Sequence, residues 1–242
     1  MKLKLFINKA IQRAVYRYRA DSKSYVAYLR KIGVELGEDV NFYSPTDTEI
    51  DIQNPHLIKI GNSVHITSGV KILTHDFSWS VLKKKYGEVL GASGEVYIGD
   101  NCFIGVNTVI LRNTYIGENV IIGANSLVHG KIPSNSVIAG NPARVIMSLD
   151  EYYKKRKSKQ DIELMKSIKD YKDRFGYNPD IDVLSEYFWL FTDNKEELTE
   201  KCRMQMKNCG NEEYSYMLFT TNNPKYSSIN EAINQALLIS KD

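Results

Sequence analysis

An aliphatic residue recurs every six positions in the segment IGDNCFIGVNTVILRNTYIGENVIIGANSLV, which runs from Ile98 to Val128. Isoleucine or valine stands at positions 98, 104, 110, 116, 122 and 128. An α-helix repeats its apolar face at about 3.6 residues and a strand alternates at about 2, so neither explains this period. A parallel β-helix with three short strands per turn does explain it. Each hexad then forms one face, its aliphatic residue points inward, and glycine at the next position eases the corner.

The fifth position of each hexad predicts the same fold. A second inward side chain must fit a narrow, close-packed interior, and the residues found there are small or β-branched: Cys102, Thr108, Thr114, Val120 and Ser126. One earlier coil of 18 residues shows both inward positions again, at Ile60, Val64, Ile66, Val70 and Ile72. The hexad register can be followed from Leu36 to about Gly140, so we expect the β-helix to cover this range.

The register is interrupted twice. Leu36 and Ile60 are 24 residues apart where one coil needs 18, which predicts a modest bulge or loop within TDTEIDIQNPHL. Ile72 and Ile98 are 26 apart where one hexad gives 6, so about 20 residues leave the coil just after Thr74-His75-Asp76. Long excursions from a rigid scaffold are frequent places for binding and catalysis. We therefore expect a functional loop at about 76–95.

Composition limits the class of protein. The 242 residues are 43% hydrophobic and 25% charged, which is ordinary for a globular chain. Three cysteines show no CxxC spacing, and Cys102 already has an inward place, so a disulfide framework or a zinc site is disfavoured. No apolar run approaches the roughly 20 residues of a membrane span, and no signal-peptide pattern begins the chain. These features favour a cytoplasmic location.

Positive charge is concentrated at the N-terminus. Residues 1–31 carry nine Lys or Arg against one Asp. Helical spacing predicts an amphipathic helix over residues 3–31, with an apolar face of Leu3, Ile7, Ile11, Ala14 and Tyr18. Packing on its own domain is the favoured interpretation, and peripheral contact with the anionic inner face of a membrane, or with a partner, is the alternative. Nucleic acid is a less favoured partner because no RNA or DNA recognition motif accompanies the basic residues.

A helical region is expected after the hexads end. Ser148-Leu-Asp-Glu151 is a capping box that predicts the start of a charged helix of about two dozen residues. A second helix signal is Ser228-Ile-Asn-Glu231, and the aromatic cluster YFWLF at 187–191 is interpreted as core. The expected domains are a basic helical segment at 1–35, a β-helix at 36–147 and a helical extension at 148–242.

Several motifs together resemble the hexapeptide-repeat acyltransferases, and more narrowly the O-acetyltransferases of sugars and bacterial surface polysaccharides. They are the hexads, ILTHD at 72–76 before a long loop, IGDNCFIG, IGENVIIGANSLV and the closing IPSNSVIAGNPARVI at 132–146. The resemblance covers about 36–147. It implies a mainly β chain built on a left-handed parallel β-helix, an exception to the right-handed crossover rule. It also implies a homotrimer with sites between neighbouring subunits.

The resemblance further implies acetyl-CoA as the donor and a histidine at the root of the loop as the catalytic base, matched here by His75. The chemistry needs such a group because a sugar hydroxyl hardly ionises at neutral pH. A positioned base that removes the proton during attack on the thioester contributes typically about 10²–10⁴-fold. Neutral imidazole suits this task near neutral pH.

Other site residues are implied by the same resemblance. Family members bind the pantetheine arm along the coils, largely through backbone groups, which implicates Val106, Ala124 and Ser126, with the Val106 N–H as a donor to the oxyanion. A basic residue of the GNPAR segment meets the nucleotide phosphates, which implicates Arg144. Where relatives commonly have Thr-Lys, this chain has His129-Gly130, and Lys131 is the expected replacement.

Two loop carboxylates are candidates for the acceptor site. Glu88 is the nearest carboxylate in KKYGEVLGASGEV, with a solvated loop charge as the alternative interpretation. Asp76 either orients the acceptor or caps the loop. For Arg144 the alternative is a surface charge at the end of the solenoid.

Other functions are weighed against this one. A zinc hydratase of the γ-carbonic anhydrase type needs three histidines, but the four present, at 56, 65, 75 and 129, include no close His-x₄-His pair, and His65 falls at an outward sixth position. No metal is therefore expected. A non-catalytic scaffold is disfavoured by His75 at the loop root. Acetyltransferases of antibiotics or of serine remain alternatives because the fold alone does not choose the acceptor.

Overall fold

The computed structural model describes residues 14–238, which form two compact units that divide at Tyr152 and Tyr153. The α-helices are α1 (Ser22–Lys31), α2 (Trp79–Tyr86), α3 (Leu149–Phe175), α4 (Glu200–Lys207), α5 (Glu212–Thr220) and α6 (Ile229–Leu238). The strands are β1 (Glu35–Leu36), β2 (Asn41–Phe42), β3 (Glu49–Ile50), β4 (Ile58–Ile60), β5 (His65–Ile66), β6 (Lys71–Ile72), β7 (Val96–Ile98), β8 (Phe103–Ile104), β9 (Val109–Ile116), β10 (Ile121–Ile122), β11 (Leu127–Ile132), β12 (Ser136–Gly140) and β13 (Ala143–Ser148).

The strands of the first unit stack as a three-sided parallel solenoid. The first column contains β1, β4, β7 and the ends of β9 and β11, and the second contains β2, β5, β8, β10 and β12. The third contains β3, β6 and the beginnings of β9 and β11. We number each corner after the column that leads into it. The solenoid closes with β13, which pairs antiparallel with β12.

The inward positions of the hexads are those predicted. The aliphatic residues are buried in every coil, and the fifth-position residues Cys102, Thr108, Thr114, Val120 and Ser126 are no more than 2% exposed. The aliphatic side chains, together with Cys102 and Val120, form one continuous core with the earlier coils. Each fully buried aliphatic side chain contributes about 1.5–3 kcal/mol of burial free energy, so the repeat itself supplies much of the stability of this unit.

The corners are built differently from the prediction. Asparagine, three residues after the inward aliphatic, has the left-handed conformation at Asn101, Asn107, Asn113, Asn119 and Asn125, with φ between 53° and 58°. The glycines directly after the aliphatic residues have a steric role instead. A Cβ on Gly105 would lie 2.6 Å from the backbone nitrogen of Ala124 in the next coil. Glycine is therefore needed here for close stacking of coils, and asparagine makes the turn.

The six extra residues between Leu36 and Ile60 are divided between two sides of the first coil. The inward residues Phe42 and Ile50 are eight apart, and Ile50 and Ile60 are ten apart, where each step of the regular repeat is six. The second insertion contains a 3₁₀ turn at Pro55–Leu57. The longer excursion after Ile72 contains α2, which begins after Ser78 and ends at Gly87.

The prediction of one continuous helix over residues 3–31 is wrong, because the helix is interrupted at Asp21. Residues 3–13 lie outside the described residues. A 3₁₀ turn at Arg17–Arg19 is followed by Asp21, whose extended backbone (φ −155°) interrupts the helix and whose carboxylate accepts from the Ser24 N–H as the N-cap of α1. A good N-cap residue thus starts a new helix within the apolar pattern. Tyr25 of α1 packs edge to face on Phe42 and covers the first coil.

The second unit is helical, and the capping box at Ser148–Glu151 and the helix start at Ser228 are both confirmed. The Ser148 N–H donates to the Glu151 carboxylate and the Glu151 N–H donates to the Ser148 hydroxyl. The Glu231 N–H likewise donates to the Ser228 hydroxyl. The core contains Phe188, Leu190 and Phe191 of the aromatic cluster, as predicted. Within residues 14–238 no helix combines the length and the apolar character needed to cross a membrane.

Candidate active site

His75 lies at the third corner, where the long excursion leaves the coil. It follows β6 by three residues, forms an isolated antiparallel bridge with Ser93, and its side chain is 34% exposed. The Gly94 N–H donates to the Thr74 carbonyl at 2.8 Å. Because the excursion leaves and returns beside His75, both of its ends are held by the rigid solenoid.

A buried carboxylate holds the imidazole. Asp51 Oδ2 lies 2.5 Å from His75 Nδ1 and also accepts from the Thr74 N–H at 3.0 Å and from the Thr74 hydroxyl. Asp51 Oδ1 accepts from the Gln53 N–H at 2.9 Å. Burial by itself raises the pKa of Asp51, but the hydrogen bonds from Thr74, His75 and Gln53 outweigh it, and the pKa lies below the ordinary value of 3.8. Asp51 is therefore ionised at neutral pH.

The contact between Asp51 and His75 determines which ring nitrogen carries the proton. An ionised carboxylate only accepts hydrogen bonds, so in the neutral ring Nδ1 must be the N–H donor. Nε2 is then left with its lone pair, which can accept a proton. The pair Asp51–His75 has the arrangement of an orienting carboxylate and a general base.

Asp51 is the site residue that sequence reasoning misses. It directly follows the inward Ile50 and lies in the register-breaking segment of the first coil, 24 residues before His75. The signal available is an acidic residue at the end of a buried strand. It becomes interpretable only when β3 is known to pair with β6, since that pairing places residues 51 and 73 side by side.

Asp76 caps the excursion. Its Oδ1 accepts from the Ser78 N–H at 2.9 Å and from the Ser78 hydroxyl, and its Oδ2 accepts from Arg112 Nε at 3.1 Å. The hydrogen bonds from Ser78 and then from Arg112 lower the pKa of Asp76 to about 2. These contacts favour the loop-capping interpretation over contact with the acceptor. Glu88 is exposed in the segment after α2, as its alternative interpretation of a solvated loop charge requires.

Val106 and Ala124 lie one above the other at the second corner. In the second column Ile104 pairs with Ile122. Val106 and Ala124 each lie two residues after these paired isoleucines, and both are exposed. Among residues 14–238, neither backbone N–H finds an acceptor in the structure. This corner therefore presents two backbone N–H donors at the surface of the solenoid.

Ser126 lies inside the solenoid near the same corner. Its hydroxyl donates to the Gly123 carbonyl at 2.6 Å and accepts from the Gly140 N–H at 3.2 Å. Its carbonyl accepts from the Val109 N–H. Its hydroxyl is thus used inside the coil, and only a backbone contact with a cofactor fits this position.

The two basic candidates lie at different corners. Arg144 of β13 is exposed and pairs with Ala139 of β12. The next residue, Gly140, stacks on position 124 and so belongs to the second corner. Lys131 is exposed on β11, just past the turn at Gly130 of the third corner. The candidates thus form two groups, one around His75 at the third corner and one around Val106 at the second.

No metal centre is found in the described part of the chain, where no three His, Cys, Asp or Glu side chains converge. His65 is the residue expected to point outward. Its Nδ1 atom shares a hydrogen bond with the Tyr43 hydroxyl, at a distance of 3.2 Å. The donor set of a zinc hydratase is therefore not assembled by these residues.

Comparisons with known proteins agree with this architecture. The family described as bacterial transferase hexapeptide (six repeats) matches residues 95–130. Protein CapG of Staphylococcus aureus is 48% identical over 124 residues, which are 51% of this chain and 71% of CapG. The putative acetyltransferase YvoF of Bacillus subtilis (strain 168) is 32% identical over 107 residues, 44% of this chain and 57% of that protein.

Among solved structures, a maltose O-acetyltransferase from Clostridium difficile 630 is 26% identical with a TM-score of 0.37, over 52% of this chain and 75% of that one. The match to CapG covers more than two thirds of that relative at 48% identity. The chain therefore belongs to the bacterial transferase hexapeptide family, built here on a parallel β-helix, and is an acetyltransferase of that family.

Proposed function

We propose that this enzyme transfers an acetyl group from acetyl-CoA to a hydroxyl of a sugar, in a bacterial surface polysaccharide or its precursor. The observation that carries the proposal is the imidazole of His75, held by the buried carboxylate of Asp51 at the root of the excursion. Such a pair removes a proton from a weakly acidic nucleophile. It has no evident use in a scaffold, where an exposed surface would be sufficient.

His75 Nε2 is the proposed base. The acceptor hydroxyl oxygen attacks the thioester carbonyl carbon while its proton passes to Nε2, and the oxyanion forms against a backbone N–H. Collapse of the tetrahedral intermediate breaks the carbon–sulfur bond, and the imidazolium returns the proton to the CoA thiolate. Asp51 stabilises the imidazolium and keeps Nε2 available, as an orienting carboxylate does in other acyl-transfer sites.

The second corner is the proposed donor site. The N–H groups of Val106 and Ala124 can bind the amide oxygens of a pantetheine arm, and Val106 is the proposed oxyanion donor. Arg144 lies beside the same corner, where a guanidinium can pair with the phosphates of CoA. Lys131 at the third corner would meet phosphate only if a second chain brings the two corners together.

A trimer is proposed for this geometric reason. His75 follows the third column and Val106 follows the second, so one chain holds the base and the donor groups at different corners. In a cyclic trimer the third corner of one subunit faces the second corner of its neighbour, which completes three equivalent sites. The acceptor would enter beside the excursion, where Glu88 is the proposed contact.

The sugar acceptor is supported by the loop FSWSVLKKKYGE and by the narrower sequence resemblance. The alternatives are an antibiotic or serine acceptor. A panel of sugars, serine and aminoglycosides, assayed by release of the CoA thiol from acetyl-CoA, separates these classes. Acetylation of serine or an antibiotic in preference to every sugar would replace the acceptor in the proposal and leave the donor in place.

Two substitutions test the residue roles. His75→Ala should lower kcat by about 10²–10⁴-fold with little change in CoA affinity, because the imidazole acts in the transition state. Arg144→Ala should weaken CoA binding by about 1–3 kcal/mol and leave kcat at saturation nearly unchanged, because it removes a charge-assisted contact with the donor. Single-turnover kinetics and calorimetry with CoA measure both.

Lys154→Ala is the matched control, since Lys154 is exposed on α3 in the other unit. Near-normal turnover by His75→Ala would show that His75 is not the general base. Glu88, or positioning of the substrates by the loop, would then have to account for the rate. If neither CoA nor acetyl-CoA stabilises the wild-type protein against heat, the scaffold interpretation is the correct one.

A further inference from the structure

The outer face of α2 combines apolar and cationic side chains. Val81 is 69% exposed, and Lys84 and Lys85 follow it by three and four residues, which places all three on one side of the helix. Further exposed apolar side chains stand just before and just after α2. They are exposed by 51–68% and comprise Phe77, Val89 and Leu90.

The opposite side of α2 is anchored. Trp79 and Leu82 are half-buried, and Trp79 packs edge to face with Phe77 at a ring-centroid distance of 4.6 Å. The bridge from His75 to Ser93 and the hydrogen bond from Gly94 to Thr74 hold both ends of the excursion on the solenoid. The apolar side chains are therefore presented outward from a fixed base.

Charge distinguishes this surface from an ordinary solvated loop. Residues 77–93 contain three lysines and one glutamate. Asp76, the carboxylate before them, is occupied by Ser78 and Arg112. No acidic side chain thus neutralises Lys84 or Lys85 among the described residues.

We infer that the outer face of α2, with Phe77, Val89 and Leu90, is a docking surface for an anionic lipid bilayer. Apolar side chains beside lysines suit the boundary between acyl chains and headgroups, since the apolar groups enter the boundary and the lysine ammonium groups extend back to the phosphates. A second copy of this chain fits less well, because a symmetric contact would bring Lys84 and Lys85 close to their own equivalents.

Vesicle binding tests this inference without acetyl donor or acceptor, so its outcome is independent of the proposed reaction. The full chain is sedimented with vesicles of phosphatidylglycerol and phosphatidylcholine, and with pure phosphatidylcholine vesicles, at physiological ionic strength. We expect binding to the anionic vesicles. The double substitution Lys84→Glu/Lys85→Glu should weaken it by about tenfold or more, because each basic residue near the surface contributes a several-fold attraction.

Lys154→Glu/Lys155→Glu is the matched control. It makes the same charge change at two adjacent exposed lysines of α3 and should alter the partition coefficient by no more than about twofold. Equal losses in the two double variants would overturn the inference, because binding would then depend on net charge or on the basic N-terminal segment. Absence of wild-type binding to anionic vesicles would overturn it as well.

Insertion of the helix face is measured separately. Val81→Cys in a Cys209→Ser background carries an environment-sensitive dye, while Cys102 and Cys202 are buried. The dye emission should shift to the blue when anionic vesicles are added, and a dye at Tyr153→Cys should not respond. A blue shift that instead grows with protein concentration in the absence of lipid would identify a second copy as the partner and contradict the inference.

Discussion

At the scale of single residues, the proposed chemistry depends on a contact between side chains that are 24 positions apart. Asp51 is 7% exposed, and its two oxygens accept from Gln53, Thr74 and His75. A carboxylate in such an environment orients the imidazole and stabilises its protonated form. Its effect should therefore be seen in turnover rather than in the binding of CoA.

Replacement of Asp51 tests this role. Asp51→Asn removes the charge but keeps the shape, so kcat should fall by about 10²–10⁴-fold while the Kd for CoA is unchanged. Stopped-flow turnover and calorimetry give the two values. Asp100→Asn is the control, because Asp100 is a carboxylate of the first corner that accepts from Asn62. A fall in kcat of equal size in both variants would identify a general structural effect instead.

The capping role of Asp76 predicts a pH dependence of stability. The pKa of Asp76 is about 2 in the folded chain, below the ordinary value of 3.8. A carboxyl with a lowered folded pKa stabilises fully above its unfolded pKa, and that contribution is lost as the pH falls through the folded pKa. The difference in unfolding free energy between wild type and Asp76→Asn should thus be constant above about pH 5 and vanish towards about pH 2.

Urea unfolding at a series of pH values measures this difference. The pH profile of Asp47→Asn serves as a reference, since Asp47 accepts hydrogen bonds from Ser44 and Ser68 but has no arginine partner within residues 14–238. A difference for Asp76 that increases as the pH falls would show that the protonated carboxyl makes the more stable contacts.

At the scale of the structural element, asparagine makes the turns between the faces of the solenoid. The side chains stack in ladders, with Asn101 Nδ2 donating to Asn119 Oδ1 at 2.7 Å and Asn119 Nδ2 donating to Asn135 Oδ1 at 3.0 Å. Asparagine is suited to this place because it tolerates positive φ and bonds to its neighbours above and below.

Substitution at Asn119 separates these two contributions. Asn119→Ala loses the ladder and strains a backbone with φ of 56°, so it should destabilise by about 1–2 kcal/mol or more. Asn119→Gly loses the ladder but accepts the backbone conformation, so its cost should be the smaller of the two. Thermal or urea unfolding gives the order. If glycine were as costly as alanine, the ladder and not the backbone conformation would account for the stability.

At the scale of the whole molecule, the site candidates lie at two corners of one solenoid. The pairing of β3 with β6 determines the corner of His75, and the pairing of β8 with β10 determines the corner of Val106. The proposed site shared between subunits would bring the two corners together. It also predicts that inactive chains can complement one another.

Mixed trimers test the shared site. His75→Ala and Arg144→Ala chains are unfolded together and refolded in equal amounts, and activity is measured at acetyl-CoA well below KM. In a cyclic trimer, random assembly restores wild-type composition to about one quarter of the sites, because each site takes one group from each of two neighbours. These restored sites should contribute about one quarter of the wild-type activity, so the mixture should be more active than either parent. Activity no higher than the average of the parents would show that each site is built within one chain.

The solenoid and its inward residues could be predicted because they repeat locally. Each hexad must place a small or aliphatic side chain in the same narrow interior. The same residue types therefore recur in every hexad of the sequence. The same repetition shows where the coil is interrupted, and His75 was found at that point. The corner asparagines also recur at a constant position in the sequence, although the sequence-based prediction assigns the corner to glycine.

Contacts between coils were decided by the tertiary structure alone. The stretch of chain between Asp51 and His75 contains the insertion between Ile50 and Ile60, and only strand pairing shows that β3 nevertheless stacks on β6. The break at Asp21 was likewise hidden, because an apolar period continues through it while a local cap outweighs that pattern. Period and residue type thus determined the fold of each coil, whereas the register between coils determined which side chains meet, since stacking brings together residues that no local pattern relates.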